Sequence, residues 1–175
     1  MIKTFQWLML FLPWLTLFAA RRGSVKRLMP SVVLTSLLVT ILSIIGYEYK
    51  WWTIHKYIVP WGEIVDVSFV YGVFAVGTFW IFYFTGRSFW LFILVNVVVD
   101  AVFSFGILPI MERIGIVTVR IPFWQTFLLD MAMMLIIYVY HRWQTAAANT
   151  PEYIDRPSFR SATHDWGPLS RRKAR

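Results

Sequence analysis

The chain has 175 residues and a net charge of +8. Apolar residues make up 58% and charged residues 15%, and the mean hydropathy is +0.60. A soluble domain usually carries about 45–50% apolar and about 25% charged residues, so this composition excludes an ordinary water-soluble globular protein. The absence of Cys excludes a disulfide framework, a thiolate nucleophile and a thiolate metal site.

Five apolar stretches are long enough, or nearly so, for the roughly 20 residues that a helix needs to cross about 30 Å of hydrocarbon. They predict an all-α, polytopic membrane bundle with five transmembrane helices at about 5–20, 31–47, 64–85, 88–110 and 122–140. The turn TGRS at 85–88 is short, so the third and fourth predicted helices must be antiparallel neighbours.

The first stretch is short and contains Pro13, and a cleaved signal peptide is its alternative interpretation because Lys3 precedes an apolar core. A cleavage after Ala20 would place the bulky Phe18 where a small residue is preferred. These features favour a retained helix, and the cleaved signal stays open as the alternative.

Lys and Arg are distributed unevenly between the predicted loops. Twelve lie in the first loop, the third loop and the region after the last helix, against five on the opposite side. Because cytoplasmic loops carry the excess of basic residues, this predicts a multi-pass plasma-membrane protein with its N-terminus outside and its C-terminus in the cytoplasm. The stretch 47–61 then lies outside, where its Trp and Tyr rings predict an anchor along the interface.

Residues 144–175 differ in composition from the transmembrane bundle predicted for residues 1–143. They contain three Pro, few aliphatic residues and scattered charge of both signs, which predicts a disordered cytoplasmic tail. The end of the tail, RRKAR, is interpreted either as a solvated terminus or, with the basic first loop RRGSVKR, as a contact with anionic lipid. The basic residues therefore point to the membrane surface and not to nucleic acid.

The fourth predicted helix carries a stripe of polar residues in an otherwise apolar run. Asn96, Asp100 and Ser104 are spaced four apart, so they share one helix face that is unsuited to lipid. The fifth predicted helix carries Thr126 and Asp130, also four apart. Counted from the loop that joins these two helices, the acids at 100 and 130 lie at similar depth, whereas Asp66 of the third predicted helix is shallower.

Two interpretations of this intramembrane polar cluster stay open. In the first, Asp100 is a neutral acid that hydrogen-bonds to Asn96, Ser104 or Thr126 and holds helices together. In the second, Asp100 and Asp130 face each other and share a proton or bind a cation, because two carboxylates at one level in a low dielectric repel each other.

The chain contains none of the common signatures of catalysis. We find no HExxH, GxSxG or GxxxxGK[ST] motif and no aspartate-rich cluster for Mg²⁺, and no His lies inside a predicted helix. Met131, Met133 and Met134 are interpreted as adaptable packing residues and not as a soft-metal site. We therefore expect no catalytic residue, no metal and no cofactor.

The run from WWTIHKYIVPWGEIVDVSFVYG to FSFGILPIMERIGI, followed by a last helix ending YHRWQ, is similar to a family of small five-span integral membrane proteins of Bacillus-type Gram-positive bacteria. The resemblance covers roughly residues 45–145 and rests on the order of apolar stretches, the PW and FW pairs and the acid in the fourth helix. It implies a plasma-membrane location and assigns no catalytic residue.

Two functions remain from the sequence. The first is a non-enzymatic integral membrane protein that binds a membrane-protein partner or acts in an assembly, which includes a homo-oligomer. The alternative is a proton- or cation-coupled transporter that uses Asp100 and Asp130. No internal repeat of the kind common in transporters is visible.

Overall fold

The computed structural model describes residues 2–86 and 88–148. The described chain is mainly helical, with helices α1 (Ile2–Thr16), α2 (Arg22–Glu48), α3 (Ala75–Thr85), α4 (Phe89–Val102), α5 (Leu108–Arg113) and α6 (Phe123–Ala148). A 3₁₀ turn, Leu17–Ala19, follows α1. Two π-helical segments, Phe69–Phe74 before α3 and Phe103–Ile107 between α4 and α5, make longer continuous helices. Two short strands complete the fold, β1 (Trp52–Ile54) and β2 (Val117–Val119).

Four helices in the described part of the chain are long and apolar enough to cross a membrane: Ile2–Ala19, Arg22–Glu48, Phe89–Arg113 and Phe123–Ala146. A fifth, shorter apolar helix, Phe69–Thr85, stands where the third transmembrane helix was predicted over 64–85. Its shortness has a local cause, because Asp66 accepts hydrogen bonds from the backbone amides of Ser68 and Phe69 at 2.9 and 3.3 Å. This is how a helix N-terminus is capped, so the helix begins later than the apolar run.

The predicted start of the second helix, at about residue 31, is wrong, because α2 begins nine residues earlier at Arg22. The basic sequence RRGSVKR that was predicted as a loop is therefore mostly helical. Hydropathy marks where side chains leave hydrocarbon and not where backbone hydrogen bonding stops, so a helix can continue through a charged stretch. At about 1.5 Å per residue, α2 is about 40 Å long, which matches a bilayer with its headgroup regions.

Helix α1 packs against the first π-helical segment, and polar contacts tie the end of α1 to that segment and to α3. The indole of Trp14 donates to the carbonyl oxygen of Tyr71 at 2.8 Å, and the indole of Trp80 donates to the hydroxyl of Thr16 at 2.8 Å. The backbones come very close at Gly72, because a Cβ there would overlap the carbonyl oxygen of Met9. The weakest predicted transmembrane helix is thus an integral part of the bundle.

The two strands join connections that are distant in sequence. Strand β1 pairs antiparallel with β2, with Thr53 opposite Thr118, and Trp52 opposite Val119. The stretch 47–61 was predicted only as an interfacial anchor, so this sheet is an addition to the expected all-α fold. Trp52 covers Gly46 at the end of α2, where a side chain would overlap the indole ring.

The main core lies at the opposite end of the bundle from the sheet. It joins residues from α2, α3, α4 and α6, and its buried members include Leu28, Phe79, Phe82, Phe92 and Met134. Helix α6 continues to Ala148, past the boundary at 143 predicted for the bundle. Of the tail predicted over 144–175, the part from 149 onward lies outside the described residues, as does Arg87 in the predicted third loop.

Candidate functional site

The polar stripe of the fourth predicted helix faces the interior of the bundle. Asn96 in α4 and Ser104 in the second π-helical segment are buried, and Asp100 is half-buried between them. The amide of Asn96 donates to the backbone oxygen of Phe92 at 2.7 Å, so its nitrogen is bonded within its own helix.

Asp130 of α6 lies opposite this stripe. The hydroxyl of Ser104 donates to Oδ2 of Asp130 at 3.4 Å. Asp100 and Asp130 line the same cavity between the helices. The structure therefore brings together the two acids that the sequence placed at similar depth.

Asp100 and Thr126 have unpaired polar atoms. Oδ2 of Asp100 and the hydroxyl oxygen of Thr126 are buried and have no hydrogen-bond partner among the described residues. Ser104 bonds to Asp130 instead of Asp100. In the packing role, Asp100 was expected to hydrogen-bond to Asn96, Ser104 or Thr126. Its Oδ2 makes no such hydrogen bond among the described residues. A buried oxygen left unpaired is costly, which calls for a bound proton or another partner.

A larger cavity of about 370 Å³ lies between α2, α3, α4 and α6. Asp100 and Asp130 line it together with Asn96, Thr35 and Thr78, and most of the remaining wall is apolar and aromatic. Val99 and Val102 line the cavity and are also 46% and 56% exposed, so no other part of the described chain covers this wall.

A smaller cavity of about 130 Å³ lies between Asp130 and the sheet. Asp66 and Asp130 line it, together with Thr126, which is 7% exposed and has an unpaired hydroxyl. Trp52 and Val117 of the two strands contribute to the wall at the sheet end. Asp66, which was predicted to be the shallower acid, therefore lines the smaller cavity with Asp130 and does not line the larger one.

Three phenylalanines line both cavities and form an aromatic cluster where the two adjoin. Phe69, Phe74 and Phe103 line both of them, and the ring of Phe103 lies 5.1 Å from that of Phe74 and 6.1 Å from that of Phe69. We call these three residues the aromatic barrier. All three belong to the π-helical segments, a type of distortion that is frequent at functional sites. Asp130 borders both cavities and so lies beside the barrier.

The cavities are electrostatically one-sided. Among the described residues that line them, the titratable ones are Asp66, Asp100 and Asp130, and none is Lys, Arg or His. Asp66 lies before the first π-helical segment, outside the apolar helices. Burial raises the pKa of its carboxyl, and the hydrogen bonds from the amides of Phe69 and Ser68 oppose that shift. The arrangement therefore favours protons or cations over anions.

A multivalent metal site is not formed by the described residues. They contain no group of three or more His, Cys, Asp or Glu side chains that could hold a metal ion. Ca²⁺ takes six to eight oxygen ligands and Mg²⁺ demands near-ideal octahedral geometry, so two carboxyls in an apolar wall suit neither. A single positive charge fits this site better.

The aromatic barrier and one buried histidine were not predicted from the sequence. Phe69, Phe74 and Phe103 resemble many other Phe residues in the chain, and no spacing marks them. The last predicted helix ends at 140, whereas α6 continues to Ala148 and contains the buried His141. Its Nδ1 lies 3.0 Å from the hydroxyl of Ser31, and its ring lies 4.3 Å from that of Phe82, within the core at the other end of the bundle.

No protein-family model, curated protein or solved structure matches this chain, so its function is inferred from its own geometry.

Proposed function

We propose that the chain is a multi-pass integral membrane protein of the plasma membrane, with its N-terminus outside and its C-terminus in the cytoplasm. Its apolar helices carry large exposed apolar side chains, which need lipid around them. The amide of Gln144 near the end of α6 donates to the carbonyl oxygen of Arg27 at 3.5 Å. The basic start of α2 and the end of α6 therefore lie on the same side, as the positive-inside rule requires.

We also propose that Asp100 and Asp130 form an exchangeable site for one proton or one monovalent cation, and that the protein uses it as a coupling site in transport and not in enzymatic chemistry. The observation that carries the proposal is that both acids line one cavity without any basic side chain beside them. Two charges of the same sign in a low dielectric repel each other and are poorly solvated. Binding one positive charge relieves both penalties.

The alternative, a partner-binding or assembly component, rests on the exposed apolar surface alone. Exposed residues such as Trp90, Leu94 and Val139 are what a lipid bilayer would cover in any protein of this class. The cavity is more specific, because acidic residues within membrane-spanning helices are rare and often mark proton or ion pathways. An oligomer that retains this cavity is compatible with both functions.

The proposal is tested by infrared titration of the full chain in lipid vesicles. A protonated carboxyl in an apolar site gives a carbonyl stretch that can be followed as pH changes. We expect such a band in the unmodified protein and expect Asp130→Asn or Asp100→Asn to remove or shift it. Asn keeps the shape and hydrogen-bonding capacity of Asp while removing the titration.

Asp66→Asn is the matched control. Asn is as good a helix cap as Asp, so this change should preserve the start of the helix and leave the band of the Asp100 and Asp130 pair in place. A spectrum in which neither Asp100→Asn nor Asp130→Asn alters a titrating band, in correctly folded protein, would overturn the proposed function.

A further inference from the structure

One wall of the larger cavity is exposed on the outside of the described bundle. Val98, Val99 and Val102 line the cavity and are 53%, 46% and 56% exposed, and they belong to a strongly apolar helix, α4. In a bilayer such side chains meet acyl chains, so a ligand that reaches the cavity past them comes from the lipid. Such a ligand must partition into the membrane.

The wall of the larger cavity is mostly apolar and therefore suits a ligand with a large apolar part. Phe74, Phe82, Phe92 and Phe103 contribute rings, and Met134 contributes an adaptable thioether. Its volume of about 370 Å³ lies in the range of pockets for small organic ligands, about 300–1,000 Å³. A bare proton or alkali ion would leave most of this apolar space unused.

The polar groups in the cavity select the charge of that ligand. Oδ2 of Asp100 is buried without a partner, Asp130 lies across the same space, and no basic side chain lines the cavity in the described part of the chain. Aromatic faces attract ammonium-type cations, most strongly where water is excluded. An anionic or neutral ligand would leave the carboxylates uncompensated.

We propose that the larger cavity binds an amphiphilic organic monocation, an apolar body with one fixed positive charge, which enters from the lipid side and displaces the proton at Asp100 and Asp130. This inference rests on the proposed function and names the substrate class of that site. The step conserves charge, because one cation enters as one proton leaves. The titratable groups that face the site are Asp100 and Asp130, with Asp66 beyond the aromatic barrier.

The first test is binding of tetraphenylphosphonium to the purified full chain in lipid nanodiscs, measured by equilibrium dialysis. Triphenylphosphine oxide serves as a neutral probe with similar rings. We expect saturable binding of the cation that strengthens as pH rises, because protons compete for the same carboxylates. Asp100→Asn and Asp130→Asn should each weaken it by about tenfold or more, and Asp66→Asn should leave it nearly unchanged.

The second test concerns lateral access. Val99→Trp places a bulky ring at the exposed wall of the cavity. We expect it to lower the rate at which tetraphenylphosphonium binds, or to abolish that binding, while the infrared band of the carboxyl pair still titrates. Leu94→Trp is the matched control, since Leu94 is exposed on the same helix and does not line the cavity. Retained helical circular dichroism shows that each variant is folded.

The outcomes separate the two proposals. Equal binding of the cation and the neutral probe, or cation binding that survives both Asp→Asn changes, would overturn the organic-cation inference. A carboxyl band that titrates in a protein that binds no tetraphenylphosphonium would also reject the inference and leave the proton site intact. If the unmodified protein shows neither a titrating carboxyl band nor binding of tetraphenylphosphonium, both the proposed function and the organic-cation inference are rejected.

Discussion

Helix α1 approaches the first π-helical segment closely at Gly72, and Gly72→Ala is the substitution whose effect the structure defines best. A Cβ at this position would overlap the carbonyl oxygen of Met9 and would lie 3.0 Å from Cα of Leu10. Both contacts are with backbone, so no side-chain rotation can relieve them. Helix α1 would have to move away from the first π-helical segment.

The cost of this movement follows from what holds α1 in place. Overpacking a tight contact costs about 1–3 kcal/mol, and the displacement would also lengthen the hydrogen bond from Trp14 to the oxygen of Tyr71. A typical net hydrogen bond is worth about 0.5–1.5 kcal/mol. We therefore expect Gly72→Ala to lower the free energy of unfolding by about 2–4 kcal/mol.

Gly77→Ala provides the matched control, because a Cβ at Gly77 has no neighbouring atom within 4 Å. Ala is the better helix former by up to about 1 kcal/mol, so this variant should be neutral or slightly more stable. Unfolding of both variants in mixed micelles, followed by circular dichroism, measures the difference. Equal stability of the two variants would refute the proposed close packing of α1.

Three further predictions follow from the same structure. Topology reporters should give an external signal between β1 and Asp66 and a cytoplasmic signal after Ala148, and the reverse pattern would contradict the orientation. Truncation after Ala148 should leave membrane insertion and helical signal intact, because the sequence removed lacks the apolar residues for a core; loss of protein from the membrane fraction would contradict this. Phe103→Ala should reduce stability more than Phe105→Ala, since residue 103 packs on two rings of the barrier and residue 105 is exposed.

The helical class of the fold was predictable from hydropathy. Each predicted transmembrane stretch corresponds to an apolar helix, and four of those helices have spanning length. The inward direction of the polar stripe also followed from sequence, because spacing by four fixes Asn96 and Ser104 on one helix face. These features depend on local composition and period, which a single sequence contains.

The parts that were not predictable depend on contacts between distant segments. The sheet exists because Trp52 to Ile54 meets Val117 to Val119, and strands this short have no signal of their own. The π-helical segments likewise preserve an apolar sequence pattern while changing the backbone period. A prediction of regular α-helices over residues 64–110 therefore places Asp100 on the inward face but does not predict the aromatic barrier, which the π-helical segments form.

We predict that the aromatic barrier also limits access to the carboxyl of Asp130 from the sheet side. Asp130 borders both cavities, and Phe103 lies between them with its ring packed edge-on against Phe74 at 5.1 Å. Removing that ring in Phe103→Ala should join the two spaces and expose the carboxyl of Asp130 from the sheet side. A water-soluble carbodiimide should then modify Asp130 faster than in the unmodified protein or in Phe105→Ala, as measured by mass spectrometry of the labelled peptide. An unchanged rate in folded Phe103→Ala would show that the phenylalanines are packing residues and do not limit access to the acid.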